Sequence, residues 1–321
     1  MSDSDHWQPS ASLAALKSRA QQLAWVRGFF ASRNVLEVET PILGRCSVTD
    51  LNIDSVPVGP GGDEDRLWLQ TSPEYPMKRL LAAGLGDVYQ IARVFRSGER
   101  GARHNPEFSL LEWYRTGFDD ADLMGEVADL VCGWLDCPRP VTVTYRDAFI
   151  RFAGIDPFSA SDEELRAMCQ PWMDAAQRSG LLRDECLDLL MSLQIEPELA
   201  SLGPVFVTGY PASQAALARV TEVNGRLQAH RFELYIEGLE LCNGYWELTD
   251  PAEQRARFEA DNRARREAGK SEMPFDEALL SAMESGIPEC AGVALGLDRL
   301  LMLKLGVDDI SEVLAFPDER A

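Results

Sequence analysis

The stretch RFELYIEGLELCNGYWEL, residues 231–248, leaves the chain little local choice. Two strand-forming runs are separated only by Glu237-Gly238. A two-residue connection joins antiparallel neighbours, because a parallel pair needs a crossover of a dozen residues or more. The turn sets Tyr235 opposite Glu240. Glu233, two residues before Tyr235, shares its face and lies diagonal to Glu240, roughly 7–8 Å away. Two converging carboxylates repel unless a cation sits between them. Oxygen-only ligation suits Mg²⁺, which binds a few carboxylates together with substrate phosphates. An exposed acidic hairpin without a ligand explains the same residues equally well.

A second strand pair is expected at 87–96 and 107–115, around ARVFRSGERGARHNPEFSLLEWYR (residues 92–115). Its middle gathers Arg93, Arg96, Arg100, Arg103 and His104 in a chain of formal net charge −21. A solvated loop would tolerate such a run, and a polyanion site would require one. No G-x-x-x-x-G-K-[ST] or G-x-G-x-x-G occurs, so an anion site must be built from side chains on a sheet. Alternation puts Phe108, Leu110, Glu112 and Tyr114 on one face of the second strand. A third segment, AGVALGLDRLLMLKLG, joins a glycine-rich strand to a helix with Arg299 in its first turn. Glycine lets backbone approach a ligand closely; an arginine there also suits a simple ion pair with a neighbour such as Asp298.

The rest of the chain alternates irregularly between helix and strand. Ser10 or Ser12 caps a helix with apolar residues at Leu13, Leu16, Ala20, Leu23, Val26 and Phe30, stopping near Asn34. VLEVETPIL and RLWLQTSP read as strands, VPVGPGGDEDR as a loop, EYPMKRLLAAGLG as a helix. Residues 120–200 read as largely helical, with a Ser161–Glu164 capping box. Strand returns at 204–208, and a charged helix follows the hairpin. Without a regular βαβ alternation, the pattern predicts one α+β domain over residues 1–321, an antiparallel sheet flanked by helices, with 1–11 as a flexible N-terminus.

Composition excludes several classes. At 45% hydrophobic residues the chain has enough material for a core. The acidic balance argues against wholesale duplex binding. Seven cysteines without a C-x-x-C pair, and only three histidines, argue against a zinc site or disulfide framework. Neither a secretory signal nor an uninterrupted apolar run of membrane-spanning length is seen. A soluble cytoplasmic protein with reduced thiols is expected.

Taken together, TPIL with Pro41, FRSGERGARHNPEF and GVALGLDR resemble motifs 1, 2 and 3 of class II aminoacyl-tRNA synthetases, in that order. TSPEYPMKRLL, HNPEFSLLEWY and the 231–250 hairpin resemble the lysyl-tRNA synthetase branch. Lysyl-tRNA synthetases carry an anticodon-binding domain before the catalytic one. Here the motif 1 helix starts near residue 12, too early for an added domain of roughly 50 residues. The chain is thus most similar to the elongation factor P β-lysine ligases, a family that adenylates (R)-β-lysine and transfers it to a lysine of elongation factor P.

That resemblance implies ATP and Mg²⁺, with Arg96 on the α-phosphate and Arg299 on the γ-phosphate. Ser97, Gly98, Glu99, His104, Asn105, Leu241 and Gly296 would line the nucleotide site, and Phe108 would stack on adenine. Glu233 and Glu240 match the magnesium carboxylates. Ser72, Pro73, Glu74, Glu112, Tyr114, Asn243, Glu247 and Ala294 match positions around the diamino acid, whose two ammonium groups call for several carboxylates. The family pattern also implies a homodimer through motif 1 and no membrane association.

Two departures stand out. Gly98 occupies the motif 2 glutamate position, and Glu99, if on a strand, would face the other way. Ala294 stands where lysyl-tRNA synthetases have glycine, which crowds the pocket for a differently shaped substrate. Two other functions fit parts of the pattern: a free-standing lysyl-synthetase-like enzyme that charges tRNA or makes lysyl-adenylate, and a non-catalytic regulatory paralogue. The acidic chain weighs against tRNA, and retention of Arg96, Glu233, Glu240 and Arg299 weighs against catalytic decay.

Overall fold

The computed structural model describes residues 7–59 and 66–321. The expected loop around residue 60 and the first residues of the expected flexible N-terminus fall mostly outside that range. The chain divides into two compact units: residues 1–118 with 133–135 and 249–321, and residues 119–132 with 136–248.

The first unit begins with the helix Leu13–Ala31. Ser12 is its N-cap, its hydroxyl accepting from the Ala15 amide at 3.1 Å. Three residues beyond the helix end, Asn34 takes a left-handed φ of 57° and turns the chain out of the helical path. Ser10 and Ala11 lie against the far end of the chain, their amides bonding to the carbonyls of Ala315 and Leu314. Val88–Phe95 pairs antiparallel with Glu107–Thr116, which pairs antiparallel with Cys290–Gly296. Leu36–Glu37 adds to Val88–Tyr89 in parallel. VLEVETPIL therefore yields one two-residue strand and the start of another, Leu43–Gly44, in a small three-stranded sheet with Pro57–Val58 and Leu67–Leu69.

Alternation gives this sheet two distinct faces. On one, Tyr89 and Trp113 meet Phe30 of the first helix, with ring centres 4.4 and 5.4 Å apart, and are buried there. On the other, Ala92, Val94 and Leu110 form a small apolar floor against which Phe108 and Ala294 pack. The helices Glu74–Ala82, Pro251–Glu267 and Glu277–Gly286 belong to the same unit, joined partly by Tyr75, Phe258 and Phe275.

In the second unit, Leu239–Trp246 pairs antiparallel with Arg226–Ile236, which pairs antiparallel with Val205–Pro211. Val220–Val223 joins the start of Arg226–Ile236, and Val141–Thr144 joins Val205–Thr208 in parallel. The region read as largely helical therefore contains a strand at 141–144, where the β-branched run VTVT finds a parallel partner more than sixty residues on. Helices between residues 145 and 202 bury Tyr145, Phe149, Leu165, Leu187, Leu190, Ile195 and Leu199 in one core with Val205, Val207 and Tyr235. The Ser161–Glu164 capping box is present at the start of Asp162–Met168. No helix among the described residues is long and apolar enough to cross a membrane. All seven cysteines are free thiols.

Candidate active site

Motif 2 places Arg96 one residue beyond the strand that ends at Phe95, where its amide still bonds to the Pro106 carbonyl at 2.9 Å. Its guanidinium lies over the Phe108 ring, 5.1 Å from the centre. The Nε of Arg96 is buried and has no acceptor. A buried donor left open beside an aromatic face fits an anionic ligand carrying a planar ring, as a nucleotide does.

The residues after Arg96 turn instead of continuing as strand. Gly98 takes φ +81°, a conformation that disfavours side chains. Glu99 consequently reaches back, its Oε1 lying 3.7 Å from Arg96 Nη1. The expectation that it faces away assumed strand geometry that ends at Phe95.

The other loop cations divide their attention. Arg93 pairs with Glu107 at 3.7 Å and Arg100 with Asp318 at 2.7 Å, so the loop is not a single phosphate-facing cluster. His104 Nε2 accepts from Arg299 Nη2 at 2.7 Å, and Arg299 Nε also reaches the Arg103 carbonyl at 3.4 Å. Burial of the ring, then the neighbouring Arg299 charge, holds the His104 pKa below its usual value. A neutral imidazole is what can accept from a guanidinium. Asp298 is not the partner of Arg299: it bonds Arg19 and accepts from the Ser109 amide at 2.7 Å, pinning the motif 3 helix to motif 2 and motif 1.

Asn105 is placed differently from expectation. Its Nδ2 donates to the Glu107 carbonyl and its Oδ1 accepts from the Asp318 amide, so both ends of the amide hold the loop. With Ser97, Gly98, Arg93 and Phe95 it lines a cleft of about 480 Å³ beside Leu314 and Phe316. Arg93 and Phe95 alternate along the strand with Val94, which packs with Phe108. The cleft therefore opens on the opposite face from Phe108.

The residues of this unit expected around the diamino acid gather around Glu112, which is only 2% exposed. Ser72 Oγ donates to one carboxylate oxygen at 2.6 Å and Tyr114 Oη to the other at 2.7 Å. Ser72 also accepts from the Glu74 amide at 3.0 Å, while Pro73 precedes the helix that begins at Glu74. Glu74 Oε1 accepts from Lys78 at 2.7 Å. In register, Glu112 lies between Gln90 and Ala294. Gln90 escaped the sequence reading, although alternation from Ala92 and Val94 places it on this face. Gly296 begins the turn into the helix Leu297–Leu305.

In the second unit the hairpin forms as expected, with Tyr235 opposite Glu240 and positive φ at both Glu237 and Gly238. The register then shifts between Leu234 and Tyr235, leaving Leu241 as an extra, buried residue. This bulge brings Asn243, opposite Glu233, onto the face of Glu240. Glu247 is 1% exposed and bridges to Ala218. Gly244 is required by packing, since a Cβ there would sit 2.3 Å from Phe232 Cζ.

Glu233 departs from the expected metal role. Arg231 and Asn243 donate to its Oε1 at 2.5 and 3.1 Å; Tyr210, at 2.6 Å, and Tyr235 donate to its Oε2. Glu233 already has a cation beside it in the Arg231 guanidinium. This donor set does not fit a metal shared between Glu233 and Glu240. Sequence reading missed Arg231, two residues before Glu233, where alternation puts it on the same face.

Comparison with known proteins adds the family. The family model of tRNA synthetases class II (D, K and N) matches residues 6–320. The chain is 49% identical to the elongation factor P–(R)-β-lysine ligase of Proteus mirabilis over 327 aligned positions, covering all of both chains. It is equally similar, at 49% over the whole of both chains, to the protein of the same name from Photorhabdus laumondii.

Proposed function

The chain belongs to the class II tRNA synthetases of the D, K and N group, and from that premise we propose that it uses ATP to adenylate (R)-β-lysine and joins it to a lysine side chain of elongation factor P. The observation that carries this reading is the full-length similarity to two ligases of that name. The family match over residues 6–320 supports taking residues 1–321 as one catalytic domain.

The side chains suit the roles assigned. Arg96, with its open Nε over Phe108, faces the α-phosphate of ATP, and Arg299, steadied by His104, takes the γ-phosphate. Glu99 supports Arg96 in place of the glutamate missing at Gly98. Glu240 is the carboxylate assigned to Mg²⁺, which screens phosphate charge when bound. Glu74, Glu112, Tyr114, Asn243 and Glu247 are assigned to the two ammonium groups. Ala294, beside Glu112 in register, narrows the space for an α-amino acid. Exposed apolar residues Leu36, Ile42 and Leu43 of motif 1 support a homodimer. A charge of −21 disfavours tRNA as the acceptor, and seven free thiols suit the cytoplasm.

The test is ATP–pyrophosphate exchange with α-lysine and each enantiomer of β-lysine. The reading expects the highest kcat/KM with (R)-β-lysine. An equal or higher value with α-lysine contradicts it.

A further inference from the structure

We infer that Glu233 is a positioning residue for the diamino acid and not a metal ligand: it locks the Asn243 amide with its oxygen turned away from the carboxylate, left to receive an ammonium group. This rests on the assignment of Asn243 to the substrate.

A carboxylate offers about four lone-pair positions and only accepts. At Glu233 two donors meet each oxygen, so the set is complete. The group is 5% exposed, and the donors Tyr210 and Tyr235 are buried with it. Arg231 donates through Nη1 to the Gln214 carbonyl at 2.7 Å and lies 4.5 Å from the Tyr210 ring centre. Phenol hydroxyls ordinarily titrate near pH 10, about three units above neutral. Both phenols therefore stay protonated and remain donors. A divalent ion would have to displace at least one of the four donors while sitting against the Arg231 charge. That arrangement is electrostatically unfavourable.

The consequence falls on Asn243. Because the carboxylate cannot donate, the end of the amide facing it must be Nδ2. Oδ1 is thereby turned the other way, where it is buried and accepts no hydrogen bond. An unpaired buried acceptor is costly, and an ammonium hydrogen supplies what is missing. Reversing the amide would set oxygen against carboxylate and present N–H groups to a cation. Glu233 thus decides which end of Asn243 the substrate meets.

The experiment compares Glu233→Gln, Asn243→Ala and the double variant by pyrophosphate exchange with ATP and (R)-β-lysine. Each single variant should raise the KM for the diamino acid by roughly 10–100-fold, the scale of one hydrogen bond to a charged group. The double variant should be no worse than Asn243→Ala, because the two residues act through one contact. The magnesium concentration for half-maximal exchange should stay within about twofold of wild type, well below that scale. If Glu233→Gln melts below the assay temperature, Glu233→Asp replaces it. The shorter side chain keeps the charge beside Arg231 and loses reach to Asn243, so the same pattern is required. A raised magnesium requirement with an unchanged diamino-acid KM makes Glu233 a metal ligand and overturns the inference. A normal diamino-acid KM in Glu233→Gln beside a raised one in Asn243→Ala also overturns it, while leaving the site assignment intact. A normal KM in Asn243→Ala removes Asn243 from the substrate, and the site assignment falls first.

Discussion

Replacing Arg96 with alanine separates a chemical role from a structural one. In the folded chain the side chain contributes little: its ion partner Glu99 is 3.7 Å away and both groups are more than a quarter exposed. A pair of this kind is worth at most about 1 kcal/mol. In a chain of 321 residues that shifts Tm by only about 1–2 °C. The backbone bond from the Arg96 amide to Pro106 survives the change.

The loss should appear in the reaction. Nε is a buried donor waiting for an acceptor, and a charged hydrogen bond supplies about 1.5–3 kcal/mol. Charge building on the α-phosphate during adenylation raises the total to about 3–4 kcal/mol, or roughly 10²–10³ in rate. Because the extra interaction exists only in the transition state, kcat should fall more than KM for ATP rises. Pyrophosphate exchange measures the rate, and a thermal melt of the same sample verifies the fold. A folded Arg96→Ala protein exchanging within about threefold of wild type refutes the reasoning, since that leaves well under 1 kcal/mol for the guanidinium.

Ala294→Gly should shift the ratio of kcat/KM toward α-lysine by about 1–3 kcal/mol, the worth of one methylene-sized change in a pocket; an unchanged ratio means the methyl group does not meet the substrate. Gly244→Ala should destabilise by about 1–3 kcal/mol through overpacking against Phe232, seen as a lower denaturation midpoint and partly restored by Phe232→Leu. His104 titrates below its ordinary value, so its stabilising contribution is complete above about pH 6.5 and fades as pH falls through the lowered folded pKa. Protonation also ends its acceptance from Arg299, so KM for ATP should rise on the acidic side. His104→Gln, which keeps an acceptor that does not titrate there, should flatten that rise; an unchanged acidic limb would remove His104 from it.

Local rules made much of the fold readable. Ser12 caps its helix, and Glu237-Gly238 closes the hairpin in the conformation that two-residue turns favour. The strands of motif 2 lie within a residue or so of the expected bounds. What escaped depends on partners distant in sequence. Val141–Thr144 is a strand because Val205–Thr208 lies alongside it. Alternation from Glu240 puts Asn243 on the wrong face, and only the bulge at Leu241 corrects it; sequence shows no sign of one extra residue. The face of Glu99 follows from a turn at Gly98 that begins sooner than the basic loop suggested. Resemblance named Glu233 and Asn105, but it does not report neighbours. Arg231, Tyr210 and Tyr235 surround Glu233, and Asp318 holds Asn105.

The acceptor is what separates a ligase of elongation factor P from a tRNA synthetase. The purified full-length protein is incubated with ATP and (R)-β-lysine, with elongation factor P in one arm and total tRNA in the other, and products are weighed by mass spectrometry. An amine needs only positioning and loss of a proton beside an activated carbonyl. The expected result is one β-lysyl mass on a single lysine of the factor and little ester-linked product on tRNA. Efficient aminoacylation of tRNA, with the factor left unmodified, contradicts it.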